Sequence, residues 1–169
     1  MRQGIKSKLI ESPIGLLELL ATDSALCRLN WAHQHARPQN RSNDSRFDGR
    51  SRILEQASEE LQLYFEGRLQ VFSVPCAPEG TAFQRQVWSV LETIEWGKTL
   101  TYKTVANMLN KPSAARAVGT AIGKNPLPIF IPCHRVVGSN GSLTGFSGGI
   151  DIKRELLALE NGQYALSLN

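Results

Sequence analysis

The 169-residue sequence predicts two domains, an α/β unit over residues 1–78 followed by a mainly α unit over residues 79–169. Three observations carry that expectation. Short apolar runs between turn residues fill the first third, whereas apolar residues at helical spacing dominate after Thr81. Between them, Pro75-Cys76-Ala77-Pro78-Glu79-Gly80 has the composition of a linker.

In chain order, strands are predicted over 5–11, 15–22 and 25–32, punctuated by Ser12-Pro13-Ile14-Gly15 and Asp23-Ser24. Residues 33–52 are rich in Arg, Asn, Ser and Gln and should form an exposed loop. Arg37, Arg41, Arg46, Arg50 and Arg52 crowd it, so auxiliary phosphate contact stands beside plain solvation as a reading. Ile53, Leu54, Ala57, Leu61, Tyr64 and Phe65 recur near helical spacing, predicting an amphipathic helix over 51–66 that ends at Gly67. One more strand is expected over 69–74.

In the second domain Thr81 can cap a helix that turns Phe83, Val87, Val90, Leu91 and Ile94 to one face and ends near Gly97. A second helix is expected over 102–109. Asn110-Lys111-Pro112 breaks it, and Ser113 is expected to cap a third, small-residue helix over 114–123. Two short helices joined by a tight turn have the helix-turn-helix pattern. The later helix of the pair carries alanines and glycines with Arg116 as its one long side chain. Such a face suits close approach to a grooved partner or tight packing inside the protein. A final helix over 151–160 should turn Ile152, Leu156, Leu157 and Leu159 inward.

Composition excludes several classes. No run approaches the roughly 18 apolar residues of a membrane span, and the N-terminus lacks the apolar stretch of a secretory signal. Cys27, Cys76 and Cys133 lie far apart and are odd in number, which fits a reducing compartment rather than a disulfide framework. A soluble, cytoplasmic protein is expected. Residues 1–79 carry ten basic and ten acidic side chains, and residues 80–169 carry nine against five, so the net +4 lies wholly in the second part. That bias is compatible with a polyanionic partner.

The chemistry-bearing segment is Asn125-Pro126-Leu127-Pro128-Ile129-Phe130-Ile131-Pro132-Cys133-His134-Arg135. Its prolines predict an extended, non-helical backbone, and its apolar residues predict a buried path that delivers Cys133 into an enclosed site. A thiol is a nucleophile as thiolate, which a nearby imidazole favours. An inert buried thiol beside a satisfied histidine is the ordinary alternative at this point. Gly-rich turns at 137–142 and 145–149 follow, where bare backbone can approach a ligand. Glu160 ends the last helix, where the helix dipole disfavours an acid; a partner such as histidine and chance placement both stand as readings.

Phe83-Gln84-Arg85, Tyr102, Arg116-Ala117-Val118-Gly119, Asn125-Pro126, Pro132-Cys133-His134-Arg135-Val136 and Ser147-Gly148-Gly149 occur in a telling order and spacing. In this the chain resembles the O6-alkylguanine-DNA alkyltransferases, also called methylated-DNA–protein-cysteine methyltransferases. The resemblance is dense over 81–162. It is looser over the first 75 residues, where Glu11-Ser12-Pro13-Ile14-Gly15 leads into leucine-rich strands.

The resemblance implies a ribonuclease-H-like N-terminal domain, a small antiparallel sheet plus helix, and a C-terminal domain with a winged helix-turn-helix. It implies DNA repair by irreversible, single-turnover transfer of an alkyl group from O6-alkylguanine, and less readily O4-alkylthymine, to Cys133. His134 would take the thiol proton through a water, with Glu160 holding the imidazole. Tyr102 would donate to the purine N3 and the Ser147 N–H to O6, while the Cys133 and Val136 carbonyls would accept from the exocyclic amine. Pro128 would wall the pocket and Asn125 would tie the helix-turn-helix to the active-site strand. Arg116 would fill the stack vacated by a flipped nucleotide, and its helix, with Ala115, Ala117 and Gly119, would lie in the minor groove.

The partner implied is double-stranded DNA bound by a monomer, with no cofactor. Phe146 stands where the family often has Tyr, which keeps the apolar contact and removes a hydroxyl. Glu155 stands where many members have Trp. Some relatives bind structural zinc; Cys27, His33, His35 and Cys76 do not reproduce that ligand spacing, and no metal is expected. Two rival readings remain: a DNA-binding regulator or damage sensor without chemistry, and a Cys-His hydrolase with turnover.

Overall fold

Alternation of apolar residues builds the first unit of the computed structural model, which describes residues 4–32 and 51–163. Arg37, Arg41, Arg46, Arg50, His33 and His35 lie outside those residues. Strands β1 (Lys6–Ile10), β2 (Leu17–Ala21) and β3 (Leu26–Trp31) pair antiparallel in the order β1-β2-β3. Leu17, Leu19 and Ala21 of β2 and Leu26, Leu29 and Trp31 of β3 are buried. The three-residue step from Leu26 to Leu29 accompanies a register irregularity opposite Leu20 and Ala21, which lets both leucines face one side.

Helix α1 (Arg52–Phe65) packs on all three strands. Ser51 caps it, accepting from the Leu54 N–H, and Gly67 at φ +70° closes it while the Arg68 N–H reaches the Leu63 carbonyl at 2.8 Å. Leu54, Leu61 and Tyr64 are almost fully buried, each stabilising the unit by about 1.5–3 kcal/mol relative to exposure.

The strand expected over 69–74 does not form. Glu60, buried on α1, accepts the N–H groups of Ser73 at 2.9 Å and Val74 at 3.1 Å, besides the Ser73 hydroxyl and the Gln56 amide. Those are backbone donors a strand ladder would have used. Pairing comes later instead, where Leu26 donates to the Pro75 carbonyl and Ala77 donates to the Leu26 carbonyl, both at 2.8 Å.

The chain divides into two compact units, Met1–Pro78 and Glu79–Asn169. In the second, α2 (Ala82–Leu91) opens with a reciprocal capping box between Thr81 and Gln84. It ends at Leu91, earlier than the pattern suggested; Ile94 is buried from the turn beyond it. Trp88, absent from the predicted inward face, is buried and donates its indole N–H to the Ala121 carbonyl at 2.9 Å. This bond joins α2 to α4 (Ala115–Gly123).

Helix α3 (Tyr102–Met108) is closed by Asn110 at φ +56°, a conformation asparagine tolerates, with the Lys111 N–H on the Ala106 carbonyl at 2.9 Å. Ser113 does not cap α4. Pro112 begins a single 3-10 turn, Pro112–Ala114, that runs directly into the helix with no side-chain cap. Both α2 and α3 pack against α4, which completes the helix-turn-helix. Strands β4 (Leu100–Thr101) and β5 (Val136–Val137) pair in parallel, and α5 (Ile150–Glu160) packs on the turn that holds Cys133. No helix among the described residues is long and apolar enough to cross a membrane.

Candidate active site

The path to Cys133 is not the extended run the prolines suggested. Asn125, buried just after α4, donates its amide to the Ile131 carbonyl at 2.9 Å and accepts the Leu127 N–H at 3.0 Å. These bonds, with the Ile131 N–H on the Leu127 carbonyl at 2.9 Å, fold residues 127–131 into a tight turn. The turn forces Ile129 to φ +76°, a conformation costly for a β-branched residue and held here by full burial. Pro132, at φ −77° and ψ 63°, makes an inverse γ-turn in which the Cys133 N–H reaches the Ile131 carbonyl at 2.7 Å. Cys133-His134-Arg135 then forms one 3-10 turn, and all three side chains are buried.

That turn meets the C-terminal end of α5. His134 Nε2 lies 2.7 Å from Glu160 Oε1. Arg135 donates from Nε to Oε2 at 2.8 Å and from its terminal nitrogen to Oε1 at 2.9 Å, while its other nitrogen reaches the Ile94 carbonyl. The Gly97 N–H adds a 3.3 Å bond to Oε2. A side chain at Gly97 would sit 3.1 Å from the Glu160 carbonyl, so the close approach and the φ of +70° both favour glycine there. Lys153, fully buried on α5, donates to the Val136 carbonyl at 2.6 Å and the Thr144 carbonyl at 2.8 Å.

The electrostatics follow from these partners. Burial alone would raise the Glu160 carboxyl, but bonds from His134 and Arg135 outweigh it and hold the group down at about 2. An ionised carboxylate only accepts, so His134 presents Nε2–H to it, and Nδ1 carries the basic lone pair. Burial pushes the His134 pKa below its ordinary value despite Glu160, so the ring is neutral at neutral pH. Burial likewise pushes the Cys133 thiol up to about 11, opposed by a hydrogen bond with Asn125 and by the Lys153 charge. The resting group is therefore a neutral thiol. Arg135, Lys153 and Glu160 are buried around the thiol.

The other expected residues fall as follows. Tyr102 begins α3, its ring against Gly119, and its hydroxyl donates to the Thr144 carbonyl at 3.1 Å. Arg116 and Ala117 are exposed on α4, while Ala115 and Gly119 are half-buried. Pro128 is buried in the tight turn and Val136 in β5. Ser147 is exposed in the Gly-rich loop, beside half-buried Phe146. Sequence reasoning gave no role to Arg135, Lys153 or Thr144. A signal for Lys153 was present: it shares a helical stripe with Leu156 and Glu160, a lysine on an inward face. Among the described residues no group of three or more His, Cys, Asp or Glu side chains is placed to hold a metal.

Comparison with known proteins agrees along the chain. Residues 82–162 match the family model of the 6-O-methylguanine DNA methyltransferase DNA binding domain, and residues 5–78 match that of its ribonuclease-like domain. The chain is 42% identical to the methylated-DNA–protein-cysteine methyltransferase of Mycolicibacterium paratuberculosis, covering 97% of each chain. It is similar to the crystal structure of the Mycobacterium tuberculosis O6-methylguanine methyltransferase, with TM-score 0.81, 39% identity and 98% of each chain covered. The structure of Mycobacterium tuberculosis OGT in complex with DNA aligns with TM-score 0.80 and 39% identity, over 97% of this chain and 96% of that one.

Proposed function

This chain belongs to the methylated-DNA–protein-cysteine methyltransferase family, and from that premise we propose that Cys133 is the acceptor through which it repairs O6-alkylguanine in DNA. The observation that carries the assignment is the buried series Cys133, His134 and Glu160, with an ionised carboxylate 2.7 Å from the ring of the histidine beside the thiol. His134 Nδ1 takes the thiol proton through a bridging water as Glu160 steadies the forming imidazolium. The sulfur attacks the alkyl carbon in line. The S–C bond forms, the C–O6 bond breaks, and the electron pair stays with the base, which regains neutrality with a proton. The thioether product is stable, so each molecule reacts once. A thiol of high pKa gives a strong nucleophile once deprotonated.

The base reaches the sulfur only when flipped out of the duplex, at a cost of a few kcal/mol. Arg116, exposed on α4, enters the vacated stack. The small residues Ala115, Ala117 and Gly119 let the helix lie in the minor groove. Tyr102 donates to N3 and the Ser147 N–H to O6, stabilising charge on the departing guanine. The Cys133 and Val136 carbonyls each hold one donor, the Val136 N–H and Lys153, and each keeps a lone pair for the exocyclic amine. Pro128 and Phe146 wall the pocket. Asn125 fixes the turn that aims Cys133. The protein acts as a monomer inside the cell, without a cofactor.

Titration with duplex DNA carrying labelled O6-methylguanine should transfer one equivalent of label per protein and stop. Repeated turnover would favour the hydrolase reading, and binding without transfer would favour a sensor. Arg116→Ala should slow repair of duplex DNA on the order of 10-fold or more while sparing reaction with free O6-benzylguanine. Equal losses on both substrates would contradict the flipping role.

A further inference from the structure

Thr144 touches the Tyr102 hydroxyl twice. The phenol donates to the Thr144 carbonyl at 3.1 Å, and the Thr144 hydroxyl reaches back to the phenolic oxygen at 3.3 Å. The same carbonyl also accepts the buried Lys153 ammonium at 2.8 Å, and that ammonium is anchored on the Val136 carbonyl at 2.6 Å. Thr144 is therefore pinned at its main chain although its side chain is exposed. A phenol has one proton to give and two lone pairs to receive with. In the free protein the proton is directed at Thr144, and the hydroxyl of that residue is placed to fill a lone pair.

Resting on the reading of Tyr102 as donor to the departing guanine, we propose that Thr144 is a positioning residue for the leaving group. Its carbonyl parks the Tyr102 proton in the free protein, and its hydroxyl polarises the phenol when that proton turns to the purine N3. Two features make the exchange easy. When Tyr102 turns away, Lys153 still satisfies the Thr144 carbonyl, so no buried acceptor is orphaned. A phenol that accepts a hydrogen bond donates more strongly, because neighbouring bonds polarise one another. The benefit grows with the charge on the departing base, so it acts on transfer rather than on DNA binding.

The test is single-turnover transfer from O6-methylguanine duplex, read as a maximal rate and a half-saturating DNA concentration, in five proteins. These are the wild type, Thr144→Val, Thr144→Ser, Tyr102→Phe and the double variant Tyr102→Phe/Thr144→Val. Thr144→Val should lower the maximal rate about five-fold with half-saturation unchanged, and Thr144→Ser should restore it. Tyr102→Phe should lower the rate further, and Thr144→Val should add nothing in that background. A wild-type rate for Thr144→Val beside a slow Tyr102→Phe would overturn the role of Thr144 alone. So would a five-fold loss that persists in the Tyr102→Phe background. A wild-type rate for Tyr102→Phe would instead remove the assignment of Tyr102 on which the proposal stands.

Discussion

Glu60 on α1 and Glu160 at the end of α5 are both buried carboxylates, one in each unit, and both are held below the ordinary carboxylate range. Around Glu60 burial raises the pKa, but bonds from Ser73, Gln56 and the Ser73 and Val74 N–H groups prevail. Every one of those donors is neutral. Around Glu160 the donors include a guanidinium and an imidazole, and the imidazole belongs to the residue next to a buried thiol. Burial and a depressed pKa thus do not tell a structural acid from a functional one. The difference lies in whether a partner can carry a proton onward. Glu60 fastens a loop to a helix; in the proposed reaction Glu160 sets the tautomer of the base.

The largest contrast is expected from matched substitutions. Glu160→Gln leaves Arg135 with an uncompensated buried charge, which should destabilise the fold by about 3–5 kcal/mol. It should also slow alkyl transfer on the order of 100-fold, since the amide no longer supports a forming imidazolium. Glu60→Gln should cost about 1–2 kcal/mol, because an NH2 then faces donors, and should leave the transfer rate unchanged. Denaturant unfolding and single-turnover kinetics on both variants check this. A slow Glu60→Gln of unchanged stability would erase the distinction.

The pH dependence sharpens it. The His134 pKa lies below 6.5, so transfer should hold level from neutral pH upward and fall as the ring protonates in acid. A rate climbing about ten-fold per pH unit towards 11 would mean that free thiolate attacks without His134. His134→Ala should slow transfer on the order of 100-fold at neutral pH and remove the acid fall.

The smallest effect is on acid stability. Glu160 has a folded pKa of about 2 against an ordinary 4.5, so the unfolded chain binds the proton more readily between those values. The stabilisation from Glu160 is therefore complete above about pH 4.5 and lost as pH falls towards 2. His134, buried neutral, acts in the same direction starting below 6.5, and Glu60 does so in the carboxylate range. The Glu160→Gln variant should lose the lower part of this slope when unfolding is followed against pH. An unchanged slope would place the acid sensitivity elsewhere.

Much of this was legible in the sequence because it rests on local rules. The leucine-rich strand β2, the apolar stripe of α1, the Thr81 cap and the Asn110 break each announce themselves within a few residues. Glu160 was legible as an acid set against a helix dipole. Several of the misreadings come from polar side chains that capture backbone groups. Glu60 takes the donors of Ser73 and Val74 and dissolves a predicted strand. Asn125 bends a proline run that local rules make extended. Lys153 on the inward face of α5 finds its carbonyls only in the folded chain. The burial of Cys133 was legible in the apolar residues before it; the rise in pKa that this burial brings was not.

The central claim is that Cys133 is a sacrificial acceptor. Its most direct test is intact mass and peptide mapping after incubation with O6-methylguanine duplex DNA. The account predicts a gain of one methyl group per molecule, confined to the peptide containing Cys133 and stable to hydroxylamine. A methyl group on any other residue, a hydroxylamine-labile adduct, or no gain while lesions disappear would contradict it.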